Sequence, residues 1–125
     1  MTAVATGIRR DLARILKDAG LSAFSQMPPA LAPGAVVVMP DGPYGKPYSV
    51  GDEPTYVYQY VIAVHGSTLD LEAGLADIEE LIERVCEALP AGVDIDQIGQ
   101  PRVEAGTTLG PIYMAEINIT TTGRK

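Results

Sequence analysis

The chain has 125 residues, a hydrophobic share of 46% and a formal net charge of −7. This length fits one domain with an ordinary buried core, and this hydrophobic share excludes a wholly disordered chain. The acidic balance argues against indiscriminate binding to nucleic acid, which needs a basic surface. A single cysteine excludes an internal disulfide. No apolar run approaches the roughly 20 residues of a membrane span, and no secretory signal is recognisable, so we expect a soluble protein.

The first predicted element is a helix over residues 3–19, because apolar side chains recur there at helical spacing and form one stripe. The stripe consists of Val4, Ile8, Leu12, Ile15 and Leu16. A proline-rich connector over 21–34 separates this helix from a short apolar strand at 35–39. Pro40 is expected to end that strand, since proline cannot donate a ladder hydrogen bond.

Residues 41–54, DGPYGKPYSVGDEP, contain three glycines, three prolines and two tyrosines and follow neither strand nor helix periodicity. This composition predicts an extended loop, and a loop of this length in a compact domain is usually functional or mobile. Tyr44, Lys46 and Tyr48 are its candidate partner-contact residues, because tyrosine is enriched at interface hot spots. A plain surface loop is the alternative interpretation.

The rest of the chain predicts a strand at 55–65, a helix over about 69–89, and strands at 96–104 and 111–121. The strand at 55–65 is apolar on both faces, so we expect it to be central or covered on both sides. The predicted order is therefore α-β-β-α-β-β. We expect an α+β fold in which a four-stranded, mostly antiparallel sheet carries both helices on one face, and a single domain over 1–125.

Catalytic and metal-binding side chains are scarce. His65 is the only histidine and Cys86 the only cysteine, whereas a nucleophile needs a neighbouring base and a zinc site needs several close ligands. Neither of the glycine-rich motifs that bind nucleotide phosphates, G-x-x-x-x-G-K-[ST] and G-x-G-x-x-G, occurs in the sequence. We interpret His65 as structural or incidental and Cys86 as a small apolar residue whose thiol pKa Glu87 would raise. We expect no enzymatic activity, no metal and no cofactor.

Charge is distributed unevenly between the two predicted helices. The second helix region carries seven acids between positions 70 and 87 against one base, Arg84. Two interpretations fit these acids. They form either a solvated helix face or a negative surface that faces a partner or a channel. Opposite charges on two helices also suit head-to-tail packing between copies, which can close into a ring. The candidate subunit-interface or lumen residues are Arg9, Arg10, Arg14, Lys17, Glu72, Asp77, Glu79, Glu80, Glu83 and Glu87.

Five segments in a fixed order cover nearly the whole chain. They are GIRRDLARILKDAG, AVVVMP with the Gly/Pro/Tyr stretch after it, TYVYQYVIAV, LEAGLADIEELIERVCEAL and GPIYMAEINITTT. In this order and at these lengths, they resemble the tail terminator proteins of long-tailed (siphovirus-type) phages of actinobacteria. The likeness lies in the ordering of the segments rather than in an invariant motif.

The resemblance implies a structural virion protein that assembles as a ring, usually a hexamer, at the head-proximal end of the tail tube. Such a ring ends tube polymerisation and joins the tail to the head-completion proteins. The implied partners are other copies of the chain, the tail tube protein and a head-completion or stopper protein. DNA would pass through without specific binding, no membrane is involved, and the host cytoplasm would hold the protein before assembly. No catalytic residues are transferred by the resemblance.

Two alternatives to a tail terminator stay open. The first is another phage neck protein, such as a head–tail stopper or a head-completion protein. The second is a small cellular α+β module that binds a ligand, which would need a concave apolar pocket with a few convergent polar groups.

Overall fold

A computed structural model describes residues 3–50, 53–67, 70–104 and 111–124, with side chains described except at 42–50, 53–56, 71 and 123–124. The fold is α+β, as the sequence predicts. Its elements, in chain order, are α1 (Val4–Asp18), β1 (Ser22–Phe24), β2 (Ala35–Val50), β3 (Glu53–His65), α2 (Leu71–Ala88), β4 (Asp94–Ile98), β5 (Arg102–Glu104) and β6 (Ile112–Arg124).

The strands form one mixed sheet in the order β1-β2-β3-β6-β4, and β5 also pairs with β6. β1 is parallel to β2, whereas every other described pairing is antiparallel. β3 lies between β2 and β6, so the prediction of a central strand is confirmed. β1 and β4 lie at opposite edges of the sheet.

The sheet has six described strands rather than the predicted four. β1 is only three residues long, which is too short to show any periodicity. The predicted strand at 96–104 is instead two strands, β4 and β5, separated by Gly99, Gln100 and Pro101. Pro101 lacks the amide that a continuous ladder requires, and Gly99 donates its amide to the carbonyl of Glu116 at 2.7 Å.

The prediction of an extended loop over 41–54 is wrong. Residues 41–50 continue β2 and residues 53–54 begin β3, with paired register from Gly45↔Tyr58 to Val50↔Glu53. Register shifts between Pro40 and Gly45, and such a bulge accommodates extra residues in one strand. Beyond Val37, β2 has no described strand on its outer side. A proline there removes no ladder bond on that side, which is why the proline signal misleads.

Both helices match their predicted spans to within about two residues, because tertiary packing buries the stripe that predicted them. Leu12, Ala13 and Leu16 of α1 are buried, and Tyr60 donates its hydroxyl to the carbonyl of Ala5 at 2.7 Å. Asp70 is the N-cap of α2, because its carboxylate accepts the Glu72 amide at 3.0 Å and so caps the first turn.

The core lies between the helices and one face of the sheet. Leu12 and Leu16 of α1 share one buried cluster with four residues of α2 and with alternate residues of β2, β3 and β6. These are Ile78, Leu81, Ile82, Val85, Val36, Val38, Tyr60, Ile62, Val64, Ala115, Ile117 and Ile119. Because side chains alternate along a strand, this pattern places both helices on the same face, as predicted.

Candidate assembly surfaces

The candidate contact residues of the β2–β3 hairpin have a described backbone only. Lys46 lies opposite Val57 and Tyr48 opposite Thr55, while Tyr44 falls within the register shift between Pro40 and Gly45. The side chains of Tyr44, Lys46 and Tyr48 lie outside the described residues, so their role in partner contact stays a prediction. The structure places these three residues in β2, the first strand of a long hairpin.

The bulge in β2 is held by a contact that sequence reasoning missed. Asn118 of β6 donates its side-chain amide to the carboxylate of Asp41 at 2.7 Å. These residues are 77 positions apart in the chain and on strands that flank β3. No local sequence signal could have paired them. The contact ties the start of the irregular segment to the centre of the sheet.

The predicted basic residues of α1 are in different environments. Arg14 forms exposed ion pairs within the helix, at 3.6 Å to Asp11 and 3.9 Å to Asp18, and exposed pairs of this kind stabilise little. Arg10 and Lys17 are exposed. Arg9 is half-buried, and its Nε atom is buried without a hydrogen-bond partner among the described residues.

A groove of about 410 Å³ lies between α1 and the β1 segment. Arg10, Arg14 and Lys17 supply its basic rim, and Ala13, Ala23 and Phe24 supply apolar lining. Arg9, Ala13 and Lys17 follow one another at four-residue spacing and therefore share one flank of α1. We call this feature the α1–β1 groove. It combines positive charge with apolar surface at one edge of the sheet.

The acids of α2, which form one feature in the sequence, separate into distinct surroundings. Asp70 caps the helix. Asp77 accepts hydrogen bonds from Ser67, at 2.7 Å from the amide and 2.5 Å from Oγ, and so fixes the turn after β3. Glu80 lines a mostly polar crevice of about 240 Å³ beside the end of α1, together with Asp77 and Arg84. This flank of α2 therefore faces α1 and β1.

The opposite flank of α2 carries two of the remaining predicted acids. Glu72, Leu75 and Glu79 are exposed and recur at spacings of three and four, so they share one side of the helix. Since the Asp77 side faces β1, this side faces the β4 edge. Glu83 and Glu87 are also exposed, and by helical rotation they point away from the sheet.

Exposed aliphatic side chains lie along the β4–β5 side of the sheet. The exposed fractions are 41% for Ile95, 49% for Ile98, 45% for Val103 and 44% for Leu75. Ile95 and Ile98 lie opposite Ile119 and Ile117, and Val103 opposite Tyr113, so all three face the helix side of the sheet. We call these four residues the β4-edge patch. Sequence reasoning missed it, although the three-residue spacing of Ile95 and Ile98 breaks strand alternation and signals the irregularity.

His65 and Cys86, the two candidates for catalytic chemistry, have structural surroundings. His65 is 3% exposed, and its Nδ1 lies 2.9 Å from the carbonyl oxygen of Ala35, so the ring links β3 to β2. Cys86 is half-buried, and burial raises the pKa of its thiol. The direction matches the prediction, but burial rather than Glu87 is the cause. Among the described residues, no group of three His, Cys, Asp or Glu side chains could hold a metal ion.

None of the helices in the described part of the chain is long and apolar enough to cross a membrane.

No protein-family model and no curated protein matches the chain. The fold is similar to that of a solved chain from the virion of a native gene transfer agent (GTA) particle, with a TM-score of 0.56. The two sequences are 19% identical, and the match covers 99% of this chain and 98% of the other. At this identity the likeness shows the fold, which the two chains share along nearly their whole length.

Proposed function

We propose that this protein is a structural virion protein of a phage or phage-like particle. The observation that carries the proposal is the end-to-end fold match to a chain from a gene transfer agent virion. The match covers 99% of this chain and 98% of the other, so the two chains share one fold along nearly their whole length. In a virion, the expected role of such a fold unit is assembly with other proteins.

Within the virion, we assign the protein to a ring that terminates the tail tube and joins it to the head-completion proteins. The order of segments that resembles tail terminators supports this assignment. Surfaces of opposite character at the two edges of the sheet support ring formation, because head-to-tail contacts between copies close when the rotation allows. The surfaces are the α1–β1 groove and the β4-edge patch.

A structural role also agrees with the character of the described cavities. The crevice between α1 and α2 is mostly polar, and the α1–β1 groove has a charged rim. A small-ligand site is usually a concave, predominantly apolar pocket with a few convergent polar groups. The polar crevice lacks that composition, and the groove, although partly lined by apolar side chains, carries a rim of three basic side chains, so assembly explains these two surfaces better than ligand binding does.

The ring is tested first by native mass spectrometry and negative-stain electron microscopy of the purified protein. Rings with a closed subunit number, six in the expected case, support the proposal. Growing tail tubes of the cognate tube protein should then stop at shorter lengths when the protein is added, with a ring visible at one end. Tubes of unchanged length without terminal rings contradict termination.

A reconstruction of the intact virion separates termination from the other neck roles. A terminator contacts the last ring of tail tube subunits, whereas a stopper or head-completion protein lies on the head side and does not contact the tube. Density for this chain away from the tube end would exclude the terminator assignment and support another neck protein. Density nowhere in the virion would exclude a virion protein altogether.

A further inference from the structure

The β4-edge patch is uncovered because α2 does not extend over it. α2 packs on β6 and β3, which leaves β4 and β5 outside the area that it covers. All five residues of β4 are exposed. Several large aliphatic side chains in one exposed area mark an interaction site, whereas isolated ones are ordinary.

A local irregularity keeps the two isoleucines on the same face. Register shifts between Ile95 and Gln97, so Ile95 pairs with Ile119 and Ile98 with Ile117. In a regular strand, residues three apart would point to opposite faces. The extra residue, Asp96, accepts a hydrogen bond from Thr120 Oγ1, which holds the bulge in place. The bulge thus presents both isoleucines together at the open edge.

The surroundings of the patch are acidic. Glu72 and Glu79 lie on the flank of α2 that faces it and are exposed. Arg102 is the nearby base on β5, but Glu104 at 3.0 Å and Glu116 at 2.8 Å hold its guanidinium. The β4 edge therefore offers aliphatic side chains within a negative field.

The complementary surface lies at the other edge of the same sheet. The α1–β1 groove offers apolar lining from Ala13, Ala23 and Phe24 beneath the charges of Arg10 and Lys17. Positive groove and negative patch thus match in both charge and apolar character.

We propose that the β4-edge patch of one copy docks into the α1–β1 groove of the next copy, head to tail. This inference rests on the proposed ring and names the surfaces that close it. The occupant of each surface is a second copy of this chain. Because β1 and β4 are opposite edges of one sheet, each copy presents both halves of the contact, and successive copies can continue in one direction.

Two sets of substitutions disable one half of the contact each. The patch variant carries Ile95→Ser and Ile98→Ser, which remove exposed aliphatic surface without adding charge. The groove variant carries Arg10→Glu and Lys17→Glu, which place negative charge against the acidic patch. Each variant should keep the wild-type circular dichroism spectrum. Each should weaken self-association at least about thirtyfold, the effect of losing a hot spot of about 2 kcal/mol.

Mixing the two variants gives the decisive result. Each variant alone should be monomeric at a concentration where the wild type forms rings. Together they should form a one-to-one dimer and nothing larger, because the intact patch of the groove variant fits the intact groove of the patch variant. The two disabled halves at the ends of that dimer stop further growth. Native mass spectrometry measures this directly.

A matched pair of charge reversals serves as the control. Glu79→Lys lies on the flank facing the patch and should weaken association. Glu87→Lys makes the same chemical change on the side of α2 away from the sheet and should leave association unchanged.

The outcomes separate this inference from the ring itself. Rings that persist in both the patch and the groove variants overturn the docking proposal while the ring stands. A groove variant that still dimerises alone points to a symmetric patch-to-patch contact and also overturns it. Wild-type rings that leave the patch free for the tail tube protein, seen in a reconstruction, assign the patch to that partner instead. A wild-type protein that stays monomeric at every concentration contradicts both proposals.

Discussion

Two glycines at equivalent helical positions should respond to alanine with opposite signs. Gly7 is the fourth residue of α1 and Gly74 the fourth residue of α2. A Cβ atom at Gly7 would meet no atom within 4 Å, whereas one at Gly74 would lie 2.8 Å from Cδ2 and 3.1 Å from Cε2 of Tyr113. Helix propensity is thus the same in both substitutions, and only the surroundings differ.

The magnitudes follow from these surroundings. Replacing glycine by alanine within a helix stabilises by about 0.5–1 kcal/mol, and we expect this full gain for Gly7→Ala. At Gly74 the tyrosine ring must move, and the ring packs against the core cluster. Overpacking of this kind costs about 1–3 kcal/mol. Gly74→Ala should therefore lower the free energy of unfolding by about 1 kcal/mol, despite its better helix propensity.

Urea unfolding followed by circular dichroism measures both effects, at one fixed protein concentration because self-association would change the apparent stability. The cause at Gly74 is tested by repeating its substitution in a Tyr113→Ala background, where the gain from helix propensity should reappear. Equal stabilisation by Gly7→Ala and Gly74→Ala would refute the close approach of α2 to β6. A loss at Gly74 that persists without the tyrosine ring would refute its stated cause.

Three further outcomes are expected. Ile78→Ala should lower the free energy of unfolding by about 2–5 kcal/mol because Ile78 is fully buried. Leu75→Ala truncates a 44% exposed side chain and should lower it clearly less. Equal losses in urea denaturation would contradict the assignment of the buried face of α2. Cys86 should react slowly with a thiol-specific reagent at pH 8 and faster only at higher pH, because burial raises the pKa of its thiol and keeps it protonated; a rate equal to that of a free thiol would refute this. Tyr44→Ser with Tyr48→Ser should leave the circular dichroism spectrum intact and weaken assembly measured by sedimentation, while unchanged assembly would exclude these tyrosines as contacts.

The elements that sequence analysis predicts well are those with a long periodic pattern and one buried face. The stripe of α2 predicts a helix within two residues of Leu71–Ala88, a run that is apolar on both faces predicts β3, and alternation predicts β6. The predicted position of both helices on one face also holds, because each has a single apolar stripe and must bury it against the sheet.

The elements that sequence analysis misses depend on distant partners. β1 exists because Ser22–Phe24 lies beside Ala35–Val37, and three residues carry no pattern of their own. The second half of β2 pairs with β3 despite its prolines and glycines, and the contact of Asp41 with Asn118 spans 77 residues. In these segments, pairing with a neighbouring strand outweighs the low β propensity of the local sequence.

The candidate surfaces show the same division. Sequence analysis could identify charged residues on α1 and α2, but it treated the acids as one face. The carboxylate of Asp77 accepts hydrogen bonds from Ser67 in the turn after β3. The number of acids in the helix does not reveal this contact. Sequence analysis misses the β4-edge patch because it predicts one continuous strand at 96–104, which leaves out Ile95 and does not show which face stays uncovered. Exposure depends on where α2 ends relative to β4, and this is a property of the assembled sheet.

The division of the acids among different surroundings also changes what salt should do to a ring. Glu79 faces the patch, so its attraction to a neighbouring groove should weaken as the Debye length falls from about 10 Å at 0.1 M to about 3 Å at 1 M salt. Glu87 faces away from the sheet, and if that side lines the channel, salt would relieve repulsion and tighten the ring. The apolar contact of Ile95 and Ile98 does not weaken with salt, and strongly excluded salts reinforce it. The salt response of the wild type is therefore a sum of opposing contributions. A difference in that response between Glu79→Lys and Glu87→Lys isolates the charge contribution, because both variants retain the same apolar contact.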